Sequence, residues 1–148
     1  MMVRTGIALA TALSLMLGTT ACKRGDRDAS TTVSGGEVDR SALRVTDIEL
    51  GRGIDANKQV TDKTDEFRPN DTIYATVKTS GTAPGTLVAR WTFQDGQVVD
   101  ETTQNISPTG DAATEFHISK PDGFPTGNYK LEILLGGSVV QTEEFEVK

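Results

Sequence analysis

Cys22 and His117 are the residues whose chemistry would support nucleophilic, redox or metal catalysis, and each occurs once in the chain. A serine or cysteine nucleophile needs a base within hydrogen-bond reach, and a zinc site needs three or four nitrogen or sulfur ligands. His117 falls in Thr114 to Ser119 ("TEFHIS"), where alternation turns Phe116 and Ile118 inward and sends the imidazole outward. A solvated surface histidine is the expectation. A third group, Asp55, Asn57, Asp62, Asp65 and Glu66 within Gly51 to Asp71 ("GRGIDANKQVTDKTDEFRPND"), supplies the oxygen ligands that calcium takes. Lys58, Lys63 and Arg68 interleave with them, and the glycine and terminal glutamate of an EF-hand loop are missing. This stretch is expected to be a solvated, turn-rich connection, with calcium binding by Asp55, Asn57, Asp62 and Asp65 as the alternative. No catalytic residue, metal or cofactor is assigned, and the chain is expected not to be an enzyme.

The surroundings of Cys22 give it a different role. Arg4 supplies a positive start, Gly6 to Gly18 ("GIALATALSLMLG") is uncharged and apolar, and Thr19, Thr20 and Ala21 lead directly to the cysteine. The apolar run is shorter than the roughly 20 residues that span a bilayer. Lys23, Arg24 and Asp26 bring charge immediately afterwards. This pattern resembles a bacterial lipoprotein signal, although Thr19 stands where that family favours leucine. The resemblance implies that residues 1–21 are removed and that the Cys22 thiol carries diacylglycerol as the first residue of the mature chain. Two or more acyl chains hold a protein stably on a membrane, whereas one holds it weakly. Lys23 in place of an aspartate after the cysteine implies, by the same resemblance, the periplasmic face of the outer membrane. The small residues Thr19 to Ala21 also suit ordinary signal peptidase, which would leave a secreted periplasmic protein with a free N-terminal thiol.

Residues 22–40 follow as a tether. Lys23 to Arg40 ("KRGDRDASTTVSGGEVDR") is rich in Asp, Ser, Thr and Gly and has too few large apolar residues to bury a core. As a flexible coil it would reach roughly 23 Å, enough to hold a domain with a radius of gyration of about 13 Å clear of lipid headgroups. Fourteen basic and 21 acidic residues remain once residues 1–21 are removed. That balance does not suit nucleic acid, which needs concentrated Lys and Arg. Nothing in the residues specifies an oligomeric state.

Residues 41–148 read as one domain of strands. Arg44 to Leu50 places Ile48 and Leu50 on one face, and Thr72 to Ser80 turns Ile73, Ala75 and Val77 inward against Tyr74, Thr76 and Lys78. Thr86 to Phe93 aligns Leu87, Ala89, Trp91 and Phe93. Asp95-Gly96 then marks a hairpin into Gln97 to Thr103. After Thr114 to Ser119, Asn128 to Leu135 presents Tyr129, Leu131, Ile133 and Leu135 together. Gly136-Gly137 makes a second tight turn into Ser138 to Val147. About seven short antiparallel strands without helical spacing imply a β-sandwich.

Trp91 in the third of these strands and "PTGNYKL", Pro125 to Leu131, resemble an immunoglobulin-like domain, the second segment matching its tyrosine corner at Tyr129. The resemblance implies that Val77 and Leu131 occupy the positions of the inter-sheet disulfide that antibody domains carry. Here packing against Trp91 must replace the bridge, each buried aliphatic side chain contributing roughly 1.5–3 kcal/mol.

Such a domain is expected to act through its surface, as a noncatalytic interaction module contacting another envelope protein. Phe124, flanked by Pro121 and Pro125 in "KPDGFPTG", is the expected aromatic anchor, with Tyr74 as a further exposed aromatic. The competing expectation for Phe124 is that it folds back to close the end of the core. A carbohydrate or peptidoglycan binder is the alternative function, with Tyr74 and Phe124 as its available platforms.

Overall fold

The computed structural model describes residues 39–148, so Cys22, the signal-like segment and most of the tether lie outside it. Eight strands form: β1 (Arg44–Gly51), β2 (Glu66–Phe67), β3 (Ile73–Ser80), β4 (Gly85–Phe93), β5 (Gln97–Ile106), β6 (Ala112–Ile118), β7 (Gly127–Leu135) and β8 (Ser138–Val147). They build a three-stranded sheet in the order β1-β3-β6 and a five-stranded sheet in the order β2-β8-β7-β4-β5. All pairings are antiparallel except the short β2–β8 contact.

This is an immunoglobulin-like β-sandwich. The first, third and sixth strands form one layer, and the fourth, seventh and eighth form the centre of the other. The strand after β4 stays beside β4 instead of crossing to pair with β6, as it does in the constant-type arrangement. As a result β5 and β6 both end their sheets.

The apolar positions along each strand explain the two layers. Ile73, Ala75 and Val77 of β3 face Leu87, Ala89 and Trp91 of β4, and Leu131 and Ile133 of β7 complete a buried cluster with Ile48, Phe116 and Phe145. Leu131 sits directly opposite Trp91 across the β4–β7 ladder. The Trp91 indole meets the Phe145 ring edge-on, with centroids 5.9 Å apart. Its Nε1 is buried without a protein acceptor, so packing alone holds the ring.

Three expectations need correction. The stretch Gly51 to Asp71 is more structured than a solvated loop. Bridges at Gly51–Lys63 and Ile54–Val60 fold it into a small hairpin, and β2 adds an eighth strand. The cause is Phe67, which is 1% exposed and packs edge-on against Phe145. Thr76, outward by alternation, is fully buried because this hairpin lies across it, and its hydroxyl donates to the Lys58 carbonyl at 2.6 Å. In the β4–β5 turn, positive φ falls on Gln94 (45°) and Gly96 (99°) rather than on Asp95, because the loop between Phe93 and Gln97 has three residues.

Candidate interaction site

For Phe124, in the loop after β6, the sequence allows an exposed anchor or a ring folded back onto the end of the core. Gly123 takes φ 79°, its N–H closes a turn onto the Lys120 carbonyl at 2.9 Å, and the chain doubles back. The Phe124 N–H then donates to the Pro69 carbonyl at 2.7 Å and its ring turns into the core. There Phe124 is 3% exposed and meets Tyr129 edge-on at 6.1 Å. Phe124 therefore does not project as an anchor; it closes the end of the sandwich. Pro121 and Pro125 remain exposed.

Tyr129 opens β7 as the tyrosine-corner resemblance implied. Its hydroxyl donates to the Pro125 carbonyl at 2.7 Å, and its ring stacks on Phe145 at 5.3 Å. Burial pushes its phenol pKa up.

Tyr74 stands half-buried on the outer face of the three-stranded sheet, 5.6 Å from the His117 ring. His117 is exposed, as alternation required, and its Nδ1 lies against the Glu115 carboxylate. The four expected contact residues thus do not form one surface. Phe124 and Pro125 meet at the end of the core, and Tyr74 reaches that region only through His117.

Four of the five carboxylates of Gly51 to Asp71, those of Asp55, Asp62, Glu66 and Asp71, are engaged by hydrogen bonds or ion pairs, and Asp65 takes part through its backbone. Asp55 accepts the N–H groups of Asn57 and Gln59, capping the turn in which Lys58 takes φ 62°. Asp62 and Asp71 both pair with Arg52, and Glu66 pairs with Lys148. The Asp65 carbonyl receives the Glu146 N–H. The Arg68 N–H and then the Arg52 guanidinium hold the Asp71 carboxyl below the ordinary range. On the neighbouring β1, Lys63 and then Lys78 do the same for Glu49. Among the described residues no group of three or more His, Cys, Asp or Glu side chains is arranged to hold a metal.

A concavity opens where β5 and β6 part. It is a cleft of about 560 Å³. Ile118, Phe124 and Tyr129 are its buried lining, while Val98, Val99, Asp100 and Lys120 are exposed along it. Val98 and Val99 are 54% and 38% exposed. Farther along, Gln104 Nε2 donates to the Glu115 carbonyl at 2.7 Å and links the two edges. Sequence reading placed a strand at Gln97 to Thr103 but gave it no role. The available signal was "DETTQN", Asp100 to Asn105, a strand stretch without a large apolar residue and so without a buried face.

No family model matches the chain, and no curated protein does. Among solved structures, an immunoglobulin-like protein from Pseudomonas aeruginosa is similar at 17% identity, over 74% of this chain and 98% of that one, with a TM-score of 0.48. A β-glucosidase involved in saponin metabolism from intestinal bacteria is similar at 15% identity over 73% of this chain, with a TM-score of 0.48. An alkylpurine DNA glycosylase from Pseudomonas fluorescens is similar at 12% identity over 72% of this chain, also with a TM-score of 0.48. The chain spans only 16% of the glucosidase and 30% of the glycosylase.

Proposed function

We propose that this chain is a noncatalytic interaction module of the cell envelope, anchored to a membrane through acyl chains on Cys22 and contacting another envelope protein through the β5 side of its sandwich. The observation that carries the interaction reading is the exposed edge strand β5, whose Val98 and Val99 stand in solvent beside the cleft. Paired valines at a sheet edge are a liability unless a partner covers them. The lipoprotein-like pattern ending at Cys22 supports the anchor and the periplasmic address. Anchoring would confine the domain to a layer about one tether length deep at the membrane surface, which raises its effective concentration toward a neighbour held there too.

Two measurements test this. In cells producing the full chain, the N-terminal peptide should begin at residue 22 and carry acyl mass, and Cys22→Ser should release the protein into the soluble periplasmic fraction. An unmodified N-terminal thiol in a protein that washes off the membrane would remove the anchor. Crosslinking in intact cells should yield one stoichiometric protein partner. Retention on isolated cell-wall sacculi without such a partner would replace this reading with polysaccharide binding.

A further inference from the structure

The edge of β5 is built to accept one kind of neighbour. β5 is ten residues long and pairs with β4 on one flank only. An edge strand leaves the backbone N–H and C=O groups of its free flank available for another strand. The Gln104 link to Glu115 holds the two sheet edges together at one level, and from Asp100 toward Gln97 they part into the cleft. A strand added along β5 would therefore lie beside an opening with an aromatic interior, formed by Phe124 and Tyr129.

The same edge carries features that discourage a second copy of this chain. Val99 is the extra residue where the β4–β5 register shifts between Trp91 and Thr92, and such a bulge twists an edge away from self-pairing. Asp100 and Glu101 stand at the middle of the strand, which has no Lys or Arg. Glu101 is matched within the sheet by Arg90 at 2.7 Å, whereas Asp100 has no cation partner among the described residues. Residues 39–148 have 18 acidic and 11 basic side chains, so two copies repel and a basic segment is attracted.

Resting on the interaction reading above, we propose that β5 is a strand-addition edge. It takes an extended, Lys- or Arg-bearing segment of a partner protein, with one apolar side chain of that segment seated in the β5–β6 cleft beside Val98 and Val99. Main-chain pairing would supply affinity, and the cleft and Asp100 would supply selectivity.

The test uses the full chain carrying Cys22→Ser, isotope-labelled, and a synthetic peptide Lys-Val-Lys-Phe-Lys-Val-Lys as probe. Binding is expected to shift the backbone amides of Gln97–Ile106 and slow their hydrogen exchange. Methylating alternate peptide nitrogens should weaken binding at least about tenfold, the equivalent of one to two lost hydrogen bonds. Asp100→Asn should weaken it by roughly 1.5-fold to fivefold, the range of one exposed charged contact.

The proposal is overturned if β5 amides stay unmoved at about 1 mM peptide, if backbone methylation has no effect, or if the chain instead dimerises through β5. In cells, a photo-crosslinker at Val98 separates the two readings. A partner captured from another face while Val98 stays silent overturns strand addition and leaves the interaction reading standing. The absence of any protein partner overturns both.

Discussion

At the scale of single residues, Tyr129 shows how one side chain ties local sequence to the core. Its hydroxyl returns to the Pro125 carbonyl while its ring stacks on Phe145 and touches Phe93, so it couples the loop after β6 to the centre of the five-stranded sheet. Tyr129→Phe keeps the ring and removes the hydrogen bond, and should lower unfolding free energy by about 1 kcal/mol, read from the urea midpoint. Burial raises the folded phenol pKa above its unfolded value of about 10. The sign follows: the fold favours the neutral phenol, so this contribution is complete below about pH 10 and is lost as pH rises through the folded value. Tyr129→Phe should flatten that alkaline decline, and an unchanged alkaline limb would show that another group causes it. Pro125 is legible in the sequence as part of this motif because donor and acceptor are four residues apart. The position of Phe124 is not, because its burial depends on Pro69, far back along the chain.

At the scale of elements, alternation identified the inward faces of β3, β4 and β7, since every second side chain of a strand points the same way whatever pairs beside it. It failed at Thr76 because alternation assigns a side and does not say whether that side is covered. Gly51 is what allows the cover to close. A Cβ there would lie 2.2 Å from the Asp62 carbonyl oxygen and 2.3 Å from Val60 Cγ1, so the hairpin can approach β1 only over a glycine. Gly51→Ala should cost roughly 1–3 kcal/mol of stability and loosen the 52–63 hairpin, visible as faster amide exchange at Arg52 and Thr61, whose N–H groups bond within it. Exchange unchanged at both amides would mean that the hairpin docks without this close approach. The two marked turns differ for a related reason. Gly136 and Gly137 take φ 59° and 88° in a two-residue hairpin, as their types suggest. Asp95-Gly96 marked its turn but not its length.

At the scale of the whole molecule, the chain has one cysteine, Cys22, outside the described residues, and so the sandwich has no bridge between its sheets. Its closure rests on packing of Trp91, Leu131 and Val77 through the middle and of Phe124 at one end. Phe124→Ala should therefore lower unfolding free energy by about 3–5 kcal/mol, measured by thermal or urea denaturation. A stable Phe124→Ala protein with impaired partner binding would instead restore that ring as a surface anchor. What the sequence by itself determined is local in origin: strand periodicity, the buried positions on β3, β4 and β7, the tyrosine corner, and the single Cys22 behind a signal-like run. Only the tertiary structure decided that β5 and β6 end their sheets, that the hairpin of residues 52–63 covers Thr76, and that Phe124 turns inward. The physical reason is that backbone pairing and burial at these places join segments distant in the chain, and a period of two residues specifies which side a residue faces without specifying what lies there.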